Sequence, residues 1–508
     1  MFDIQKRKNI KVKIKSGLKK AARAADETEE KQLLGEAEHI AMAETKESRH
    51  IVMFPYMAQG HFIPFLSLAK MLTSQGLNVS FITTTASAPK LQSQALGSSI
   101  CIVPLYFPLI PGLPPGCEST DVLSYIEAQL LFVSSHKLSH PFEDWLEQVM
   151  AETSRKPACI ISDVFLPWTA QSASKFGIPR VVFQTTGAMA ASLLQFLFTN
   201  PDSEIIRDRQ IIEIRDRCIN MNLRRSELPH MLRSELSYSS YPVLPVLQQA
   251  YGLGKESCAA TLVNTFDGLE AEYVKYLEES TGKPVWSIAS PLHKPQFGIE
   301  NESECIRWLD TQKENSVIYI SFGSQAFLSE DQTKALARSI VASNQPFIWT
   351  IKDPVGGHVN SCDFLPEGFM EATRDRGMVI HGWVPQRLIL SHPSTVFFMS
   401  HCGWNSTLES ISAGVPMLVW PMAFDQFANA RLVIEQLGFG MQICEGYDAI
   451  PSSDTVENTV KEAMTAEIGK ELRQRALQIK ESINEASCKL SVKAFVSYVF
   501  SLGFDANK

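Results

Sequence analysis

Short apolar runs alternate with stretches of helical period over most of the chain. The runs IVMFPY, VSFITTT and ICIVPLYF open the series after Arg49, and SVIYISFGS, PFIWTIK and TVFFMS continue it in the second half. Uninterrupted apolar runs of this length are typical of parallel strands that helices cover on both faces. The pattern therefore predicts an α/β protein with parallel sheets and crossover helices.

Two segments that lack this alternation divide the chain. Residues 1–49 are basic and then acidic without an apolar period, which predicts a disordered or non-native extension, with a transit peptide as the alternative. Residues 290–302 contain prolines and no period, which predicts a linker. The first α/β domain would then span 50–289 and the second 303–470, with further helices over 471–508.

Local signals refine the first domain. The helix after the first strand is predicted with Pro64 in its first turn and Gly76 past its end, which places His61 at the tip of the strand. Asp163 ends a later strand. Residues 200–250 are polar and irregular, and they predict loops and short helices over a cleft.

Composition is that of an ordinary globular chain. Of 508 residues, 45% are hydrophobic and 20% charged, and the net charge of −8 gives no reason to expect nucleic acid or an anionic membrane as partner. No apolar stretch reaches the roughly 18 residues of a transmembrane helix. The ten cysteines show no C-x-x-C spacing, which favours reduced thiols and a cytoplasmic location. We expect a monomer.

Most of the candidate chemistry lies in one stretch, from Trp383 to Gln426. Its centre predicts a strand, TVFFMS, then a polar turn, HCGWNS, and a helix that begins at Asn405 or Ser406 and ends at Gly414. The N-terminus of such a helix presents unpaired backbone N–H groups, which bind phosphate.

Side chains around this turn suit the other parts of a nucleotide sugar. His401 adds a donor, Gly403 permits close approach by a ligand, and Trp383 offers a flat face for a base. Asp425 and Gln426 follow another apolar run, at the sheet edge where open α/β sheets bind ligands.

These residues also have structural interpretations. Ser406 and Glu409 fit a capping box that closes the start of the helix. Trp383 could belong to the core, and His401 could be a structural histidine. The functional hypothesis depends on the whole set and not on any one residue.

The stretch resembles the signature box of the plant secondary-product UDP-glycosyltransferases. The shared positions are W-x-P-Q, H-C-G-W-N-S-x-x-E, G-V-P, W-P and D-Q, with no departure from the family pattern. The resemblance implies the GT-B architecture, in which two Rossmann-like domains with parallel sheets face each other across a cleft. It also implies UDP-glucose as the donor co-substrate.

The same resemblance implies roles for individual residues. The uracil would stack on Trp383, beside Val384, and the ribose would meet Gln386 and Glu409. The other donor-binding residues would be Ser324, His401, Gly403, Asn405 and Ser406 for the phosphates and Thr185, Trp404, Asp425 and Gln426 for the sugar.

A histidine suits the deprotonation of an attacking hydroxyl, because its ordinary pKa of about 6.5 lies near working pH. We predict His61 as this base and Asp163 as the partner that fixes its tautomer. No D-x-D pair ends a strand and no second carboxylate nucleophile is evident, so we expect no metal and direct displacement with inversion to a β-glucoside.

Other classes fit less well. A dehydrogenase needs G-x-G-x-x-G, but the G-F-G at Gly438 lacks the third glycine, and GLGK at Gly252 has the wrong spacing for a P-loop. A non-catalytic nucleotide-sugar-binding protein would keep the box, and the presence of His61 and Asp163 speaks against it.

The acceptor is predicted only by class. Apolar residues in the first domain suggest a flavonoid, another phenolic or a terpenoid, although residues of this kind taken singly are more often core than pocket: Phe107, Leu109, Phe165, Met189, Leu193 and Phe196.

Overall fold

The computed structural model describes residues 50–95, 98–152, 156–200, 210–233, 242–252, 258–289, 304–323, 326–353, 361–446, 448–483 and 485–502. The predicted extension (1–49) and linker (290–302) lie outside these ranges, as does Ser324.

The apolar runs form the expected strands. The strands are β1 His50–Phe54, β2 Asn78–Thr84, β3 Ile100–Leu105, β4 Pro157–Asp163, β5 Arg180–Gln184, β6 Ile211–Asp216, β7 Ile219–Arg224, β8 Ala260–Val263, β9 Val285–Ser287, β10 Val317–Ser321, β11 Phe347–Ile351, β12 Gly377–His381, β13 Thr395–Ser400, β14 Met417–Val419 and β15 Gly440–Gln442. Most residues of the central strands are buried, as expected for sheets covered on both faces.

Two parallel sheets organise the molecule. The first has seven strands in the order β3-β2-β1-β4-β5-β8-β9, and the second has six in the order β12-β11-β10-β13-β14-β15. Every pairing within them is parallel. The predicted fold class is therefore confirmed.

Helices fill the connections. They are α1 Gln59–Ser74, α2 Ala88–Gln94, α3 Tyr125–Ser134, α4 Ser139–Ala151, α5 Thr169–Lys175, α6 Ala188–Thr199, α7 His230–Arg233, α8 Val243–Gly252, α9 Asp267–Thr281, α10 Glu304–Asp310, α11 Glu330–Ser343, α12 Phe369–Thr373, α13 Gln386–Ser391, α14 Trp404–Ala413, α15 Gln426–Arg431, α16 Ser453–Thr465, α17 Glu467–Ser482 and α18 Glu485–Leu502. No helix in these ranges is both long and apolar enough to cross a membrane.

The start of α1 differs from the prediction. The backbone N–H groups of His61 and Phe62 both donate to the carbonyl of Ala58, so the helix starts as soon as the chain leaves that residue. His61 therefore lies in the first turn of α1 and not at the tip of β1, and Pro64 lies in the second turn.

The segment 200–250, predicted as loops and short helices, contains two short helices, α7 and α8, and also a β-hairpin. Strands β6 and β7 pair antiparallel, and exposed and buried residues alternate along both. The signal was present as the period-2 patterns IIEIRD and INMNLR, but the density of charge obscured it. Arg217 takes the left-handed conformation that closes the turn, with φ of 50°.

The last helix packs against the first sheet. Trp286 of β9 contacts Phe495 and Tyr498 of α18, with ring centroids 5.6 and 4.9 Å apart. The Tyr498 hydroxyl also donates to the carbonyl of Ala259 at 2.7 Å. Helix α18 thus connects the end of the chain to the half of the molecule in which the described chain begins.

Candidate active site

The points where strand order reverses carry the candidate chemistry. In the first sheet β1 and β4 are neighbours, and the chain continues to His61 after β1 and ends β4 at Asp163. In the second sheet β10 and β13 are neighbours, and Gly323 and His401 follow them. Open parallel sheets bind ligands in the crevice beyond such strand ends. The molecule therefore has two sheet edges of the kind at which such folds bind ligands.

Hydrogen bonds join these two edges. Trp404 Nε1 donates to the carbonyl of Asn264 at 2.5 Å, and Asn405 Nδ2 donates to the carbonyl of Gly60 at 2.7 Å. Both donors belong to the first turn of α14, and both acceptors belong to the first half of the chain. The start of α14 is thus held directly against the edge that carries His61.

His61 and Asp163 form a hydrogen-bonded pair. His61 Nδ1 lies 2.8 Å from Asp163 Oδ2. Asp163 is fully buried, and its carboxylate also accepts the backbone N–H groups of Tyr56 at 3.2 Å and Phe165 at 2.9 Å. These contacts fix the carboxylate and, through it, the imidazole ring. Because Nδ1 is bound, Nε2 is the nitrogen left to accept a proton.

Aromatic rings and a threonine surround this pair. The ring centroids of Tyr56 and Phe165 lie 5.4 and 5.0 Å from that of His61. Burial, and secondly the charge of Asp163, raise the pKa of the Tyr56 hydroxyl, which therefore stays protonated. The Thr185 hydroxyl lies 3.2 Å from His61 Nδ1, so this predicted sugar contact adjoins the histidine.

The helix after the HCGWNS turn begins before Asn405 and Ser406, the two predicted starts. Helix α14 starts at Trp404, with Gly403 as its N-cap and no side chain bonded to its first N–H groups. Ser406 and Glu409 therefore lie inside the helix, and the capping-box interpretation is wrong. The N–H groups of the first turn are left to meet a ligand.

Gln386 ties the predicted ribose residues together. Its Nε2 donates to Glu409 Oε2 at 2.6 Å and lies 3.2 Å from the Ser406 hydroxyl, while its Oε1 accepts from the Tyr319 hydroxyl at 3.1 Å. Burial raises the pKa of Glu409, and the bond from Gln386 partly offsets that effect. Gln386 and the three residues that it contacts therefore form one polar cluster.

His401 is enclosed by glycines. A Cβ added at Gly323 would lie 2.4 Å from the His401 ring, and one added at Gly403 would lie 2.5 Å from it. Burial, and secondly the positive charge of Lys352, lower the pKa of His401 from 6.5 to about 4. The imidazole is therefore neutral at physiological pH, and its N–H can donate without adding positive charge.

Trp383 and Val384 occupy contrasting environments. Trp383 is 76% exposed, which rules out the interpretation as a core residue and leaves its ring accessible. Val384 is buried, and its carbonyl accepts the backbone N–H of Gln386 at 2.8 Å. The exposed ring thus stands beside a rigid buried neighbour.

Asp425 and Gln426 are used partly for internal contacts. Asp425 Oδ2 accepts from the Thr186 hydroxyl and from Asn429 Nδ2, both at 2.9 Å, and burial raises its pKa. Gln426 Oε1 accepts the backbone N–H groups of Met422 and Ala423, both at 3.0 Å. Both side chains thereby organise the loop that they belong to.

Two residues that support the site, Glu270 and Gly187, were not predicted from the sequence. Glu270 is buried and accepts the backbone N–H groups of Ala188 and Met189 at 2.9 and 2.8 Å, so it caps α6 from another helix. A Cβ at Gly187 would lie 2.9 Å from the Trp404 ring. A glutamate inside an amphipathic helix usually faces solvent, so its sequence gave no signal for this role.

The residues predicted for the acceptor pocket separate into groups. Phe107, Met189 and Leu193 are buried in the core, whereas Leu109 is 73% exposed. Phe165 alone of the six is placed by its ring contact beside His61. Within the described ranges, no group of three or more His, Cys, Asp or Glu side chains is arranged to hold a metal ion.

Comparisons with known proteins agree with this architecture. A family model described as "UDP-glucoronosyl and UDP-glucosyl transferase" matches residues 299–480. Scopoletin glucosyltransferase of Nicotiana tabacum is 34% identical over 460 residues, which cover 86% of this chain and 94% of the relative.

Solved structures extend the agreement to the fold. A UDP-glucosyltransferase from Polygonum tinctorium capable of glucosylating indoxyl, in complex with 3,4-dichloroaniline, superposes with a TM-score of 0.76 at 26% identity, over 90% of this chain and 100% of that one. Phytolacca americana UGT2 complexed with UDP-2-fluoro-glucose and pterostilbene gives a TM-score of 0.72 at 28% identity, over 89% and 99%.

The two parallel α/β halves and the site at their adjoining edges define a transferase of the GT-B class. The chain belongs to the plant UDP-glycosyltransferase family. As an enzyme it is a UDP-glucosyltransferase, which transfers a glycosyl group from a UDP-sugar to a small acceptor.

The depressed pKa of His401 makes stability depend on pH. Below about pH 6.5 the unfolded chain takes up a proton at this residue, and the folded chain does so only near pH 4. Neutral His401 therefore contributes fully to the free energy of unfolding above about pH 6.5, and this contribution is lost as the pH falls. We expect the free energy of unfolding of wild type to fall by on the order of 1–3 kcal/mol more than that of His401→Gln between pH 7 and pH 4.

Denaturant unfolding of both proteins across that range measures the difference. His136→Gln, which replaces an exposed histidine, serves as the control and should follow wild type. Parallel curves for wild type and His401→Gln would contradict the assignment of a neutral, buried His401.

Proposed function

We propose that this enzyme transfers glucose from UDP-glucose to a hydroxyl group of a small apolar plant aglycone, with inversion to a β-O-glucoside. The observation that carries the proposal is the His61–Asp163 pair, with 2.8 Å between Nδ1 and Oδ2, at a sheet edge bonded to the start of α14. A base and a phosphate-binding helix terminus thus adjoin.

The reaction is a single displacement. His61 Nε2 takes the proton of the acceptor hydroxyl as the oxygen attacks the anomeric carbon. The bond from that carbon to the β-phosphate oxygen breaks, and UDP leaves with the electron pair. Asp163 stabilises the imidazolium that forms, and the fixed hydrogen bond to Nδ1 maintains the tautomer.

The donor site stabilises the charge that develops on UDP. The first N–H groups of α14 have no side-chain cap, and Asn405 and Ser406 lie in the same turn. His401 contributes a neutral N–H, and the partly buried cation of Lys352 acts on it electrostatically. These groups are pre-organised, so they stabilise negative charge without reorganising during the reaction. Ser324 would join them.

Uridine recognition follows from the remaining contacts. The exposed ring of Trp383, beside Val384, supplies a stacking surface for the uracil. Gln386 and Glu409 are already positioned against each other, and together they offer donors and acceptors for the ribose hydroxyls.

The sugar is held by groups that serve two purposes. Gln426 Oε1 is bonded to backbone, which leaves its amide NH2 to meet a sugar hydroxyl. Asp425 keeps accepting capacity beyond its bonds to Thr186 and Asn429. Trp404 already gives its N–H to Asn264, so it would act through its ring, and Thr185 would approach from the His61 side.

The two halves of the chain have different roles in the proposed reaction. Residues 50–289 provide the base and the acceptor side, residues 303–470 provide the donor side, and the helices from 471 return to the first half. The relatives named for scopoletin and indoxyl support an aromatic acceptor. The cysteines whose side chains are described form no disulfide, in keeping with a cytoplasmic enzyme.

Replacing the base tests the mechanism. We expect His61→Ala to lower kcat by about 10²–10⁴-fold, the usual effect of losing a general base, and to leave UDP affinity unchanged. Asp163→Asn should change kcat in the same direction. Initial rates with UDP-glucose and a phenolic acceptor panel, together with calorimetric titration of UDP, measure both quantities.

A second histidine–aspartate pair offers the control. His392 Nε2 lies 3.2 Å from Asp310, before the amino end of β13 and away from the ligand edge, so His392→Ala should keep wild-type kcat. Wild-type kcat in His61→Ala would remove His61 as the base.

Gln426 is predicted to set the donor preference. A site built to hydrogen-bond a given hydroxyl rejects the epimer that leaves its polar groups unpaired. We expect wild type to prefer UDP-glucose and Gln426→His to shift towards UDP-galactose. Gln426→Glu keeps the oxygen that accepts from Met422 and Ala423 and removes the amide donors, so it separates sugar recognition from loop support.

Competition of the two donors for one acceptor gives the preference directly. Gln426→Glu should lose discrimination and keep the melting temperature. A donor ratio equal to that of wild type in both variants would exclude Gln426 from sugar recognition.

A further inference from the structure

Helix α1 has a backbone carbonyl that its own sequence leaves without a donor. In an α-helix the carbonyl of residue i accepts from the N–H of residue i+4. The partner of Gly60 is therefore Pro64, which has no N–H. Proline in a second turn thus creates an unpaired acceptor immediately before His61.

A side chain from the other half of the molecule satisfies this acceptor. Asn405 Nδ2 donates to the Gly60 carbonyl at 2.7 Å, across 345 residues of sequence. Asn405 lies in the first turn of α14, the helix whose N-terminus faces the donor site. An amide–carbonyl bond of this length is well formed.

The bond lies in a partly buried part of the molecule. Pro64 and the neighbouring Phe65 are buried, and Asn405 and Gly60 are both only partly exposed. A carbonyl that is shielded in part from water loses free energy when its partner is removed, so separation of the halves is disfavoured at this point. The contact therefore fixes where α14 lies relative to the turn that carries His61.

We propose that Pro64 is a positioning residue. By withholding an N–H it reserves the Gly60 carbonyl for Asn405, and this bond aligns the phosphate-binding helix terminus with the base. The inference deepens the proposed function, because it assumes that His61 is the base and that α14 binds the UDP phosphates. Pro64 is buried, and in this proposal it acts only through the backbone of Gly60.

Restoring the missing N–H tests the role of Pro64. Pro64→Ala and Pro64→Val both supply an i+4 donor to Gly60, and valine also fills the space of the ring. We expect both variants to lower kcat about three- to tenfold, the worth of one hydrogen bond, with the dissociation constant of UDP unchanged because the donor cradle is intact. Pro141→Ala, which removes a proline from the first turn of α4, should keep wild-type kcat.

A double variant tests the orphaned carbonyl itself. Asn405→Ala leaves Gly60 without a donor and should lower the melting temperature. In Pro64→Ala/Asn405→Ala the N–H of residue 64 pairs with that carbonyl, so part of the lost melting temperature should return. It should not return in Pro141→Ala/Asn405→Ala. The kcat of the double variant should stay low, because both the link between the halves and the Asn405 side chain of the donor site are missing.

The outcomes separate this inference from the proposed function. Wild-type kcat in both Pro64 variants, or purely additive losses of melting temperature in the double variant, would overturn the role of Pro64. Recovery of the melting temperature together with wild-type kcat in His61→Ala would instead keep the backbone link and reject His61 as the base.

Discussion

The hydrogen bond between His61 Nδ1 and Asp163 Oδ2 is the interaction on which the rest of the site depends. Asp163 ends a central strand with no exposed surface, and backbone N–H groups from two loops hold its carboxylate. A carboxylate fixed in this way can hold the imidazole in one tautomer. In the proposed mechanism the acceptor hydroxyl then lies on the Nε2 side, and the first sheet determines the direction of proton transfer.

The second sheet contributes the electrostatic part. Gly323 and Gly403 leave room for the His401 ring, and its burial keeps that imidazole neutral, in contrast to a base that must gain a proton. The two histidines therefore differ in environment, and the roles that we propose for them differ accordingly. Contacts between the two halves of the chain fix the positions of these two environments relative to each other. One of these contacts is the ion pair of Arg431 with Glu227, at 2.9 Å.

Much of the fold could be predicted from the chain because a buried parallel strand needs an uninterrupted apolar run. The site residues after those runs followed from the same logic, since strand ends meet at one sheet edge. Partner choice could not be predicted. Gln386 bonds Glu409, Gln426 supports its own loop, and Glu270 caps a helix remote in sequence, because each contact depends on tertiary neighbours that have no local signal.

The corrections have the same origin. Helix α1 begins at Gln59 because the Ala58 carbonyl accepts the N–H groups of His61 and Phe62. The sequence there contains no residue that is typical of a helix start. Ser406 and Glu409 have the spacing of a capping box, but α14 begins at Trp404, so both residues lie inside the helix. The first N–H groups of α14 have no side-chain cap. That open terminus is what makes the turn suitable for phosphate.

The central claim is a direct displacement by one base on an α-linked donor. The most direct test is the anomeric configuration of the product that wild type makes from UDP-glucose, read by proton NMR on the isolated glycoside. We predict the β-glucoside as the only anomer. An α-glucoside would require a second displacement or a front-face mechanism, and it would contradict the assignment of His61 and Asp163 as a single general-base pair.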